Sequence, residues 1–126
     1  MLPQKRITIT GARGFLGTHL LKKFKSKGCR NIEIADLPEY NLTDINAIRR
    51  MYEETKPDVV IHLAAKLGGI GCNQEKPSEL FYDNLIMGAQ LLHEAHIRKI
   101  EKFVALGTVC AYPKFTPTPF REEDIW

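Results

Sequence analysis

Long apolar runs, paired cysteines and a strong charge of either sign are all missing from this chain of 126 residues. No stretch approaches the length of a membrane span, so no membrane partner is expected. Cysteine is scarce: Cys29, Cys72 and Cys110 are odd in number, far apart and without metal-ligand spacing. That excludes a disulfide framework and points to a reducing, cytoplasmic location. The opening MLPQKRITIT has no apolar stretch before a cleavage site, so neither a signal peptide nor a transit peptide is expected. The net charge is only +3, from 18 basic and 15 acidic residues. Its densest basic stretch, Lys22-Lys-Phe-Lys-Ser-Lys27, falls on an expected helix and reads as a solvated face. No basic stripe interleaved with aromatics is present, and no nucleic-acid partner is expected. His93 and His96 have a spacing that would suit a metal, but no third ligand accompanies them.

What is present is an ordinary globular composition, 44% hydrophobic and 26% charged, in a length that suits one domain. Apolar runs predict strands over residues 6–10, 31–35, 58–63 and 102–106. Between them, helical spacing predicts a helix over 14–27 closed by Gly28, and a second capped by Thr43 and ended at Pro57. A third helix is expected from about Ser78 to Arg98, with Phe81, Leu85, Leu92 and Ala95 inward. KLGGIGCN and the proline-rich end, YPKFTPTPFREEDIW, read as loops. Alternating strands and helices predict an α/β fold: a Rossmann-like, doubly wound parallel sheet with helices on both faces. Only its first half is expected here, in the order 3-2-1-4, with an unpaired edge on the fourth strand.

The first turn reads Gly11-Ala-Arg-Gly14-Phe-Leu-Gly17. Gly11 permits the tight turn out of the strand, Gly14 lets backbone approach a pyrophosphate, and Gly17 lets the helix pack closely. With Arg13, Phe15 and Leu16 this segment offers a helix N-terminus to phosphates. An acid, Asp36, follows Gly11 by about 25 residues at the end of the second strand, which completes a dinucleotide fingerprint. A carboxylate there favours the ribose hydroxyls of NAD and repels the 2′-phosphate of NADP. Arg13 argues the other way, since a guanidinium can pair with that phosphate. The residues leave NAD or NADP open, with a slight lean to NAD on Asp36.

The glycine spacing resembles the extended, sugar-nucleotide-modifying branch of the short-chain dehydrogenase/reductase superfamily. Asn41-Leu42 is similar to that family's adenine-contacting pair, and His62-Leu-Ala-Ala65 to its cofactor-lining strand end. Ala65-Lys-Leu-Gly-Gly-Ile70, Tyr82-Asp-Asn-Leu85 and LGTVCAYPKF resemble, more narrowly, the GDP-L-fucose synthases. That resemblance implies an enzyme that epimerises C3 and C5 of GDP-4-keto-6-deoxymannose and then reduces C4 with a nicotinamide cofactor. It implies a GDP-sugar substrate, and cofactor contacts from Leu63, Ala64, Ala65, Lys66, Leu106 and Gly107. It places Thr108 where the family has a catalytic serine on the C4 oxygen, and Cys110 where it has the acid/base of epimerisation. It also implies that Asn84 reaches back from its helix to fix backbone near the site.

Three departures qualify the resemblance. Threonine stands at 108 in place of serine, and Ala35-Asp36-Leu37 stands where the family carries an NADP-binding arginine. The catalytic Tyr-x-x-x-Lys pair should follow Thr108 by roughly 30 residues, beyond the length given, so truncation before that pair and the substrate domain is expected. Tyr52 with Lys56 has the spacing, but it falls on the helix between the second and third strands, away from the site. Association as a homodimer or with a C-terminal half is expected. The alternatives are another sugar-nucleotide epimerase or dehydratase, and a non-catalytic dinucleotide-binding module.

Overall fold

A computed structural model describes residues 2–125. After a short 3-10 turn at Leu2–Gln4, the elements run β1 (Ile7–Thr10), α1 (Phe15–Ser26), β2 (Ile32–Ile34), α2 (Ile45–Thr55), β3 (Val59–His62), α3 (Ile70–Glu75), α4 (Pro77–Ile97) and β4 (Lys102–Ala105). Two further 3-10 turns, Val109–Ala111 and Glu122–Ile125, punctuate the proline-rich end. All four strands are parallel, as the alternating pattern requires.

The strand order corrects the expectation. It is β2-β1-β3-β4, not 3-2-1-4: β3 lies against β1 rather than outside β2. The reason is in β3 itself. Val59, Val60 and Ile61 are all buried, which requires a helix layer on each face and a neighbour on each edge. An outer position beyond β2 would leave that apolar run half covered. The β1-to-β2 step moves one way along the sheet, and the two later steps move the other way. Right-handed crossovers therefore put α1 on one face and α2 with α4 on the opposite face.

Two apolar clusters record those layers. Ile7, Ile9, Val59 and Ile61 pack with Cys29 and with Leu20, Leu21 and Phe24 from α1. Val60 packs on the other face with Ile48, Met51 and Tyr52 of α2 and Met87, Leu91 and Ala95 of α4. Burying each large aliphatic side chain this way contributes about 1.5–3 kcal/mol before chain entropy is set against it.

Local signals hold at most boundaries. α1 stops at Gly28, whose φ is 80°, with the Cys29 N–H returning to the Phe24 carbonyl at 3.0 Å. α2 is capped by Asp44 rather than Thr43: the Asp44 carboxylate accepts the Asn46 N–H at 2.9 Å. Thr43 is instead held by the Asn41 side-chain oxygen, which accepts its N–H and hydroxyl. The glycine-rich segment expected as loop contains α3, and Cys72 in it sits where a Cβ on Gly68 would approach to 2.5 Å.

The inward face of α4 was expected at Phe81, Leu85, Leu92 and Ala95, and only Ala95 is buried there. Phe81, Leu85 and Leu92 are 70%, 56% and 54% exposed, while Leu80, Met87 and Leu91 point inward. α4 carries apolar residues on two stripes, so spacing alone does not choose between them. Its polar anchors do: Glu94 is buried against Arg49 of α2, and Asn84 is bonded to the segment after β3.

Candidate functional site

β1 and β3 are neighbours whose following segments leave in opposite directions, and an open cleft of about 970 Å³ lies at their C-terminal ends. Such a reversal of strand order is where ligands bind in open α/β sheets. One wall is the β1–α1 turn. Gly11 has φ +70°, and a Cβ on it would come within 2.6 Å of the Ala64 nitrogen. Gly17 lets α1 sit on the turn, since a Cβ there would come within 2.5 Å of the Ala12 Cα. Gly14 is the N-cap of α1 and has no side-chain cap, so the first-turn N–H groups and the positive end of the helix face the cleft.

Asp36 reaches this turn from the end of β2. Its carboxylate accepts the backbone N–H of Gly11 and, at 3.0 Å, that of Arg13. The Arg13 guanidinium crosses back to donate to the Leu37 carbonyl at 2.9 Å. The two residues proposed to sort NAD from NADP thus stand side by side and brace the same turn. Leu42 is buried under the cleft, and Asn41 turns its amide oxygen toward Thr43.

The opposite wall is Leu63-Ala64-Ala65-Lys66. Asn84 of α4 clamps it from behind: its amide oxygen accepts the Lys66 N–H at 2.8 Å and its NH2 donates to the Lys66 carbonyl at 2.8 Å. The reach-back role expected of Asn84 is visible in that geometry. The Lys66 ammonium is drawn off between Asp83 at 2.6 Å and Glu79 at 2.5 Å. The hydrogen bonds it donates to these two carboxylates push the Lys66 pKa up. Lys66 therefore offers the cleft its backbone and stem rather than a free amine.

Every residue expected at a cofactor lines the cleft except Gly107; Leu106 marks the nearest point of the β4 side. Thr108 and Cys110 lie just beyond, on the exposed turn after β4, and do not line it. The Thr108 hydroxyl accepts the Cys110 N–H at 3.1 Å, which leaves its own proton free to donate outward. Cys110 is exposed, Cys72 partly so, and Cys29 is core. His62 does not line the cleft: its Nδ1 is 2.7 Å from the Thr10 hydroxyl, beneath it. His93, His96 and His19 are solvent-facing. Tyr52 is core, donating to the Leu91 carbonyl at 2.9 Å, which removes the spacing match with Lys56 from the site.

Sequence reasoning missed Leu37, Tyr40, Thr43, Asp83 and Met87 on the cleft walls. Four of these adjoin residues it did find, so a wider window around each motif would have included them. Asp83 and Glu79 carried a second signal, two acids one helical turn apart opposite a lysine. Burial and its bond to Glu54 push the Tyr40 pKa up to about 12.

Residues 7–125 match the family model described as NAD dependent epimerase/dehydratase. The chain belongs to the NAD-dependent epimerase/dehydratase family. Among curated relatives it is 36% identical to a GDP-L-fucose synthase of Sinorhizobium fredii, covering 99% of this chain and 40% of that protein. It is 31% identical to GDP-mannose 3,5-epimerase 1 of Oryza sativa subsp. indica, covering 96% of this chain and 36% of that one. A GDP-mannoheptose C4 reductase from Campylobacter jejuni, solved with NADP bound, superposes with a TM-score of 0.92 at 25% identity, over 100% of this chain and 40% of its own. The chain thus spans about two fifths of the length of these relatives.

The residues of the cleft fit the nicotinamide dinucleotide that this family's name implies. Side-chain-free approach at Gly14, where an added Cβ would meet only the Gly11 carbonyl at 3.3 Å, leaves room over the free α1 N-terminus. Such an uncapped helix N-terminus, with no side chain in the way, suits a phosphate group.

Proposed function

We propose that this chain is the cofactor-binding part of an enzyme like GDP-L-fucose synthase, acting on GDP-4-keto-6-deoxymannose. The observation that carries the reading is the uncapped N-terminus of α1, which Gly17 packs on its own turn while Gly11 packs that turn against Leu63 and Ala64 after β3, at the reversal of strand order. The α1 N–H groups hold the pyrophosphate, Asn41 and Leu42 border the adenine, and Asp36 with Arg13 meets the adenosine ribose. Leu63 to Lys66, with Leu106 and Gly107, border the nicotinamide half. When bound, the nicotinamide supplies hydride for C4 of the sugar. Thr108 donates a hydrogen bond to the C4 oxygen and polarises the carbonyl, and Cys110 moves protons at C3 and C5, the carbons made acidic by that carbonyl. The one proton that ends on the C4 oxygen would come from the Tyr-x-x-x-Lys pair that the resemblance implies for a full-length enzyme of this kind.

On the cofactor, each Asp36 carboxylate oxygen accepts one N–H of the turn and keeps a second acceptor site for a ribose hydroxyl, as NAD use requires. Arg13 keeps guanidinium donors beyond the one given to Leu37. This supports NADP use alongside NAD. Association through the exposed β4 side, with a second copy or with a C-terminal half, belongs to the same reading.

The test is consumption of NADPH, followed at 340 nm, when GDP-4-keto-6-deoxymannose is added to the chain extended through the Tyr-x-x-x-Lys pair. Consumption that is lost in Cys110→Ser supports the reading. Solvent-proton exchange into the sugar without consumption would favour a 3,5-epimerase, the second reading that the rice relative supports. Cofactor binding with neither reaction would favour a non-catalytic module.

A further inference from the structure

Thr10 and His62 are the last residues of β1 and β3 and face each other in register, on the sheet face covered by α4. Neither belongs to the cleft wall, yet both touch what builds it. The Thr10 hydroxyl accepts the Ala64 N–H at 3.2 Å and lies 2.7 Å from His62 Nδ1. Ala64 is the residue whose peptide meets Gly11 most closely. Thr10 is fully buried, so its hydroxyl proton needs a partner within the protein. His62 Nδ1 provides one only as an acceptor, with the imidazole neutral and its proton on Nε2. The ring's other neighbours are uncharged. Phe103 has its ring centroid 6.4 Å away, and a Cβ on Gly88 of α4 would stand 4.0 Å from Nε2. Burial alone lowers the His62 pKa, which favours that neutral form.

We infer that Thr10 and His62 act as a positioning pair that fixes the Ala64 peptide on the cleft wall for the dinucleotide. His62 sets the direction of the Thr10 hydroxyl, and the hydroxyl sets Ala64. The inference rests on the cofactor reading above for its purpose, but the geometry it asserts stands in the free protein. His62 thereby gains a role distinct from lining or simple packing, and Thr10 gains one that no motif in the sequence announced.

The test measures amide hydrogen exchange at Ala64 in the free protein and NADPH affinity, in parallel variants. Thr10→Val removes the hydroxyl at constant shape and is expected to speed Ala64 exchange and weaken NADPH about 5- to 10-fold, the size of one lost hydrogen bond. His62→Phe, which keeps a ring without Nδ1, gives a second route should Thr10→Val fold poorly. Thr10→Ser and His62→Asn restore a hydroxyl and an acceptor and should both return to wild-type values. Unchanged Ala64 exchange in Thr10→Val and His62→Phe would overturn the inference, as would failure of both restoring variants. Absence of dinucleotide binding by the wild-type protein would instead strike the cofactor reading, with Ala64 exchange still judging the pair.

Discussion

Gly11 holds a left-handed φ of +70° with the Ala64 peptide where a side chain would be. Gly11→Ala must adopt a strained backbone and push β3's end away, so it should cost about 2 kcal/mol or more and abolish dinucleotide binding. Thermal unfolding and titration check both halves of that statement. Arg13 supports a finer expectation: Arg13→Ala should weaken NADPH about tenfold, the worth of a charge-assisted contact, and change NADH by less than about threefold. Equal losses would mean that Arg13 acts only by bracing the turn. The glycine turn was legible in sequence because its spacing is local, three residues within one strand-to-helix step, whereas the Ala64 peptide that also excludes a side chain at Gly11 was not. The partners of Asp36 were not, because its two N–H donors reach it only when β2 comes beside β1.

At the scale of elements, β3 held the information that the expected strand order overlooked. A run buried on both faces belongs in the middle of a sheet, and Val59-Val60-Ile61 lies between β1 and β4. The rotation of α4 was harder to read, since the polar residue that fixes it, Glu94, looks like a surface residue in sequence. It is 2% exposed and is bonded to Arg49 at 3.0 Å and to Arg98. Burial pushes its pKa up, but the two arginines outweigh that and hold it below the ordinary carboxylate value. A depressed folded pKa means this contribution is present above the unfolded value and is lost as pH falls through the folded one. Glu94→Gln should therefore lower stability at pH 7 by about 2 kcal/mol, below the range for fully buried pairs because Arg49 is half exposed. The difference should shrink on acidification, as urea unfolding at several pH values would show.

Asp58, at the entry to β3, follows the same sign. Hydrogen bonds from the Arg6 side chain and backbone lower its pKa to about 2. Arg6→Ala should move the Asp58 titration, followed by NMR, upward toward the ordinary aspartate value. The joint between the first and third strands then loosens at a milder acidity.

On the scale of the whole molecule, the sheet is closed on neither side, and β4 presents most of its length to solvent. Val104, Leu106 and Val109 near that edge, with Phe81, Leu85 and Leu92 on α4, add exposed apolar surface. An open edge beside such surface recruits a neighbour, so sedimentation should show association that grows with protein concentration. A strictly monomeric species at high concentration would contradict this. None of the helices among the described residues is long and apolar enough to cross a membrane. Most residues that line the cleft were legible in sequence, because the motifs sit on the segments that follow β1, β2 and β3. The roles proposed for Thr108 and Cys110 rest on resemblance alone, since both stand on a turn outside the cleft wall.

The central claim is that the turn from Gly11 to Gly17 binds a nicotinamide dinucleotide. Calorimetric titration of this chain with NADPH and NADH tests it most directly. The account predicts saturable binding at one site, with a Kd below about 1 mM for at least one nucleotide, and loss of that binding in Gly11→Ala. Failure of the folded wild-type chain to bind either nucleotide would contradict it.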